Sequence, residues 1–273
     1  MKSDYRMIKV ELKQGVAILT FNNPPVNQLS RSFVEEIRDA LMAAFEDDAV
    51  KAVILTATGK NFTGGADITE IQQVTDRDSL LPRVVENNRF LNSIEEGPKP
   101  VIVAMNGNCL GGGMEIAMAS HYRIAAKGVQ VGQPEVQVGL IPGAGGTQRL
   151  PRLVGFPDAL QMIGTGQPIS AEEGMEKGCV DEVVAPEALL EKALDVARRF
   201  ISGELKHRDR MTRWRKDRLP NALMKKMIIT YAKEEAAKKG KGYIAPFKAI
   251  EAMERGLSED FEADLRIEAE LFS

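Results

Sequence analysis

The sequence predicts an α/β protein with a helical C-terminal region. Three observations carry that prediction. Strongly apolar runs of strand length, VAILTF at 16–21, VKAVILTA at 50–57 and PVIVAMNG at 100–107, alternate with stretches of helical periodicity. Glycine-rich turns stand where strands end, at 58–67 and 107–113. From about residue 204 the composition turns highly charged while apolar residues keep helical spacing.

In chain order, residues 8–13 and 16–21 read as strands separated by Gly15. Pro24 and Pro25 then forbid regular structure. Ser30 is placed to cap a helix over 31–46, whose Phe33, Val34, Ile37, Leu41 and Phe45 recur at helical spacing. The apolar strand 50–57 precedes the Gly-rich loop 58–67, and a helix over 78–95 ends at GPKP. After strand 100–107, the segment GNCLGGGMEIAMAS passes from a tight turn into a helix, and YRIAA at 122–126 reads as a strand. The loop 131–150 contains five glycines, and helices follow at 157–164, 170–177 and 186–202. This order suggests parallel βαβ units. Segment 204–241 carries thirteen Lys or Arg against five Asp or Glu, a net +8, whereas 254–270 holds seven acids and two arginines. Leu223, Met227, Ile228 and Tyr231 give the first of these a helical pattern, and Trp214 and Phe247 are expected to be buried. We place a boundary here, with a core over 1–203 and a helical region over 204–273.

Composition sets the outer bounds. With 273 residues, 44% hydrophobic and 27% charged, the chain can bury a sizeable core. A net charge of −3 gives no global reason to expect nucleic acid as a partner. Cys109 and Cys179 form no CxxC pair, and with His121 and His207 alone they make no zinc-site pattern. The mixed, charged N-terminus and the absence of about 18 consecutive apolar residues predict neither signal peptide nor membrane span, and point to the cytosol, an organellar matrix staying open.

Three short motifs bear on chemistry. Gly111-Gly112-Gly113 leads into a helix that carries Glu115 in its first turn, where free backbone N–H groups suit a negatively charged oxygen. Gly64-Gly65-Ala66-Asp67 follows a strand, and one amide from each turn would make an oxyanion hole. Gln133-Pro134-Glu135 presents a second carboxylate on a proline-stiffened loop, and two glutamates can divide water activation and proton delivery. Each motif also has a plain structural reading: a packing turn, a helix cap, two surface acids. Pro142-Gly143-Ala144-Gly145-Gly146 lacks the GKS or GKT ending of a P-loop and is read as a structural turn.

Together these pieces resemble the crotonase, or enoyl-CoA hydratase/isomerase, superfamily. The resemblance runs from Val16 to Arg199, about two-thirds of the chain, through NNPPVN, FTGGADI, KPVIVAMNG, GGGMEIAMASHYRIAA and VGQPEVQVGLIPGAGGTQRLPRLVG. It implies a spiral core of repeated ββα units followed by the C-terminal helices. It also implies oxyanion-hole amides at Ala66 and Gly112, with Glu115 activating water and Glu135 exchanging the proton at C2. Phe62, Gly65, Asp67, Ile68, Gly111, Pro134 and Gly143 fall at substrate-contact positions. No metal or separate cofactor is implied, since coenzyme A belongs to the acyl-CoA substrate. Relatives of this kind often form trimers or hexamers. The opening NNPPVN and the stretch 243–272 further resemble the hydratase/isomerase part of multifunctional β-oxidation proteins, in which a dehydrogenase part follows. Retention of both glutamates favours hydration of trans-2-enoyl-CoA in fatty-acid β-oxidation, with Δ3,Δ2-isomerisation open as a second activity. Another acyl-CoA isomerase or hydrolase of the same fold, and an RNA- or partner-binding protein using the +8 segment, are the alternatives.

Overall fold

The computed structural model describes residues 4–74, 76–239 and 243–273. The first part of the chain forms β1 (Ile8–Lys13), β2 (Val16–Phe21), α1 (Arg31–Glu46), β3 (Ala52–Ala57), β4 (Asn61–Thr63), α2 (Ile68–Gln72) and α3 (Arg77–Glu95). Next come β5 (Val101–Met105), β6 (Asn108–Leu110), α4 (Gly112–Ala119), β7 (Tyr122–Ala126), β8 (Gln130–Gly132), a 3-10 turn (Glu135–Val138), α5 (Gly146–Val154) and α6 (Phe156–Thr165). Then follow β9 (Ile169–Ser170), α7 (Ala171–Lys177), β10 (Glu182–Val184), α8 (Leu189–Ile201), α9 (Ala222–Lys239), α10 (Ala245–Arg255) and α11 (Phe261–Phe272).

Two sheets organise these elements. The larger has the order β1-β2-β3-β5-β7-β10, the smaller β4-β6-β8-β9. Strands β3 and β4, β5 and β6, and β7 and β8 each send one member to each sheet before the chain leaves in a helix. That is the ββα repeat, wound as a spiral. Only the β1–β2 pair of the larger sheet is antiparallel; β2–β3, β3–β5, β5–β7 and β7–β10 are parallel. All five residues of β5 and of β7 are buried, as expected of parallel strands covered on both faces.

The helices close the layers. Ser30 Oγ accepts from Phe33 N–H at the start of α1, and Phe33, Ile37, Ala40, Leu41 and Ala44 face inward. Fully burying a Phe, Ile or Leu side chain contributes about 1.5–3 kcal/mol, so this one stripe is a substantial part of the fold's stability. Helix α10 packs on α6 and α9, and α11 packs on α3, α5 and α10. Buried ion pairs stitch α5 to its neighbours: Arg149 pairs with Glu95 of α3 at 3.1 Å and Arg152 with Asp264 of α11 at 3.2 Å. Arg149, Arg152 and Arg213 also surround the Phe261 ring, at 5.1, 4.9 and 4.8 Å from its centroid.

Several sequence expectations need correction. The small sheet was not foreseen. Its strands are two or three residues long, too short for any period to show, and they lie in segments that read as loops. The turn at 142–146 opens α5, whose nine residues are all buried, so no exposed polar face advertises a helix. Trp214 is 62% exposed and lies beside Arg213; Phe247 is half-buried. In α9 the apolar residues Leu223, Met227 and Tyr231 point outward and Ile229 is the buried one, because apolar residues are spread around that helix.

Candidate active site

Glu115 is set by the way β6 enters α4. The chain bends at Gly111, which has φ 55° and ψ −127° and whose N–H donates to Gly132 O at 2.9 Å. A Cβ at Gly111 would also stand 3.0 Å from Glu135 Oε1, so both conformation and space call for glycine. Glu115 lies in the first turn of α4, 3% exposed. Its Oε1 accepts from Ala144 N–H at 2.7 Å and Gly146 N–H at 2.9 Å. Burial raises the Glu115 pKa, against the opposing pull of those two amides and the Arg149 guanidinium.

Glu135 reaches the same place from the other side. It opens the 3-10 turn after Pro134, which Gln137 N–H and Leu140 N–H close onto Pro134 O and Glu135 O at 2.9 and 3.1 Å. With its amide nitrogen turned inward, the buried Gln133 donates to both carboxylate oxygens of Glu135, at 2.8 and 3.1 Å. The Glu135 pKa is raised well above the carboxylate range. Burial is the main cause, followed by the nearby charges of Glu115 and Glu268.

The loop after β4 supplies the third side. Gly65 N–H donates to Thr63 Oγ1 at 3.0 Å, Leu29 N–H to Gly65 O at 2.9 Å and Asp67 N–H to Leu29 O at 3.2 Å. Between these engaged amides, Ala66 N–H has no hydrogen-bond acceptor among the described residues, and neither does Gly112 N–H at the start of α4. The point where a methyl on Gly112 would lie is 4.0 Å from both Ala66 N and Glu115 Oε2. Two free amides and a carboxylate therefore border one small volume. Such a site can stabilise a negative oxygen while a carboxylate handles protons beside it.

That volume is the end of a cavity of about 230 Å³. Ala66, Asp67, Gly112, Glu115, Glu135 and Gly143 all line it, and Ile71, Val84, Phe90, Leu91 and Phe272 give it an apolar wall. Asp67 is at the same time the N-cap of α2. It accepts from Thr69 N–H at 3.0 Å and Glu70 N–H at 3.4 Å, and the Thr69 hydroxyl bond chiefly holds its carboxyl below the usual range. Phe62 does not line the cavity. It is fully buried and packs on Phe21 with ring centroids 5.2 Å apart. Gly65, Ile68, Gly111 and Pro134 are likewise off the cavity wall; Gly65, Gly111 and Pro134 shape the backbone behind it.

Glu268 and Phe272 escaped sequence reasoning. Glu268 sits, wholly buried, on α11, 121 residues beyond the threonine it binds; in sequence it is one acid in a charged run. The run's helical spacing put Glu268 and Leu265 on one face, the signal that could have separated it from its exposed neighbours.

Comparison with known proteins shows which family the chain resembles. The family model for enoyl-CoA hydratase/isomerase matches residues 11–235. The glyoxysomal fatty acid beta-oxidation multifunctional protein MFP-a of Brassica napus is 39% identical over 268 residues, covering 95% of this chain and 36% of its own length. The fatty acid oxidation complex subunit alpha of Pseudomonas putida is 37% identical, covering 96% of this chain and 37% of its own. The chain thus spans little more than a third of the length of these curated relatives. Among solved structures, an enoyl-CoA hydratase from Bacillus anthracis is 32% identical with a TM-score of 0.66, covering 98% of this chain and 90% of that one. A second hydratase structure, from Geobacillus kaustophilus, is 32% identical with a TM-score of 0.69, covering 86% and 87%. The chain belongs to the enoyl-CoA hydratase/isomerase family.

Proposed function

We propose that the chain adds water across trans-2-enoyl-CoA thioesters to give 3-hydroxyacyl-CoA, as the hydratase part of fatty-acid β-oxidation. The observation that carries this reading is the pair of carboxylates, Glu115 and Glu135, lining one cavity together with Ala66 and Gly112, whose amides are free. The thioester oxygen accepts from those two N–H groups, and negative charge that develops on it is stabilised there. Glu115, held by two backbone donors, is the better placed to stay ionised. Glu135, half-buried and repelled by neighbouring carboxylates, is the better placed to hold a proton. Glu115 takes a proton from water as its oxygen bonds C3, and Glu135 gives its proton to C2. The pair ends with the proton on the opposite carboxylate and resets by exchange.

No separate cofactor enters this scheme, since coenzyme A arrives with the substrate. We assign residues 1–203 to the crotonase-fold core and 204–273 to a helical region whose Phe272 closes the cavity and which connects onward in relatives of multifunctional length; their greater length supports this. A cytosolic or matrix location and self-association into a trimer or hexamer belong to the same reading. Among the described residues no helix is long and apolar enough to cross a membrane. The test is loss of the conjugated-thioester absorbance on adding the protein to crotonyl-CoA and to longer trans-2-enoyl-CoAs. An unchanged spectrum across the series would refute the reading.

A further inference from the structure

The backbone strap 144–147 has a pattern that the hydration scheme does not use. Its four consecutive amides alternate in direction. Ala144 and Gly146 N–H go to Glu115 Oε1, at 2.7 and 2.9 Å. Gly145 N–H goes to Glu268 Oε1 at 2.6 Å and Thr147 N–H to Glu268 Oε2 at 2.8 Å, with the Thr147 hydroxyl adding a third bond at 2.6 Å. Glu268 is wholly buried on α11, and among the described residues no guanidinium or ammonium bonds to it. A carboxylate placed so is costly to keep, and its three donors are all spent on one strap. One turn further, Phe272 closes on Gly143, where an added Cβ would stand 2.6 Å from its ring, and the ring lines the cavity.

We propose that Glu268 is a positioning residue for the hydratase reaction, fixing the strap whose intervening amides aim the Glu115 carboxylate. The inference rests on the hydratase reading given above. Through Glu268 the C-terminal helix is part of the active site. Without its grip, Gly145 and Thr147 are free to rotate their peptide planes, and Glu115 loses its two donors in register. The link is electrostatic as well. Glu268 is pushed up to about 8, by burial first and by Glu115 second, so the two carboxylates titrate as a unit. The other charged groups around the strap are Glu135 from the 3-10 turn and Arg149 from α5, backed by Glu95 of α3. Asp264, on the same helix, is taken up by Arg152.

The experiment compares wild type with Glu268→Gln, which keeps the volume but has one acceptor for two opposed donors. We expect kcat to fall about 10- to 100-fold with KM within about two-fold, the signature of a misaimed group. We also expect the ionisation assigned to Glu115 to move to higher pH, since the two amides that hold its pKa down lose their register. A merely structural role would leave the pH profile in place. A folded variant with wild-type kcat and pH profile would overturn the proposal. Should Glu268→Gln fail to fold, Glu268→Asp, too short to reach both amides, is read the same way. Thermal stabilities of Glu268→Gln, Glu115→Gln and the double variant, from pH 5 to 9, test the contact without turnover. Non-additive shifts support the shared strap and additive ones overturn it. A wild type that leaves enoyl-CoAs unchanged would sink the hydratase reading, while the double-variant comparison still decides the contact.

Discussion

Replacing Glu115 by Gln isolates the base from its scaffold. The two donors on Glu115 Oε1, Ala144 N–H at 2.7 Å and Gly146 N–H at 2.9 Å, find an equivalent acceptor in the amide oxygen of Gln. The side chain therefore keeps its orientation, and its NH2 group takes the place of Oε2, which lies 4.0 Å from where a Gly112 methyl would stand. An amide cannot take a proton from water. General-base catalysis of this kind is worth about 10²- to 10⁴-fold, and at 1.36 kcal/mol per decade that is about 2.7–5.4 kcal/mol of barrier. Hydration of crotonyl-CoA by the variant should fall by that factor with KM little changed. Isomerisation of a 3-enoyl-CoA, which needs only a proton moved within the acyl chain, should survive better if the wild type catalyses it. Glu135→Gln should abolish both, because its proton exchange at C2 is common to the two reactions. Stopped-time assays of both reactions on variants of equal melting temperature give the answer. Full hydration by either folded variant would refute the two-carboxylate mechanism; equal loss of both reactions in both would refute only the division of labour.

Gly146→Ala should keep the N–H to Glu115 yet place a Cβ 2.9 Å from Glu115 Oε1 and 2.8 Å from the Gln133 side-chain amide; we expect about 1–3 kcal/mol lost in denaturant titration and a fall in kcat, and a wild-type kcat would refute it. Glu115, Glu135 and Glu268 all have folded-state pKa values above the ordinary carboxylate range. The stability they contribute is full below the unfolded pKa, near 4.5, and lost as pH rises through the folded values, toward about 8 for Glu268. Glu135→Gln should therefore raise the melting temperature more at pH 8 than at pH 5, and a pH-independent shift would contradict the assignment. Phe272→Ala should open the apolar wall and improve kcat/KM for longer enoyl chains relative to crotonyl-CoA; an unchanged chain-length profile would take Phe272 off the acyl path.

The large sheet and the helices around it were legible because their residues repeat. VAILTF and VKAVILTA are continuous apolar runs, and α1 shows its stripe plainly. The small sheet was not legible: Asn61–Thr63 and Asn108–Leu110 owe their pairing to partners far along the chain, not to local preference. At the site, the glycine turns and both glutamates stood out by residue type, and the cavity contains both carboxylates. Phe62 came from the family resemblance alone, and the fold packs it on Phe21, away from the cavity. Glu268 was hidden because a buried acid and a solvated one are the same letter, and only the fold brings α11 to Gly145.

The alternation along 144–147 imposes a parity on that stretch of chain. Odd and even amides serve different carboxylates, so adding or removing one residue just before Ala144 would hand the donors of Glu115 to Glu268 and reverse every assignment downstream. A two-residue change would restore the correspondence but would push α5 and its buried arginines out of reach of Glu95 and Asp264. Length in this loop is consequently quantised: homologues that keep both acids are expected to show no insertions or deletions between Pro142 and Thr147, however freely the side chains there diverge.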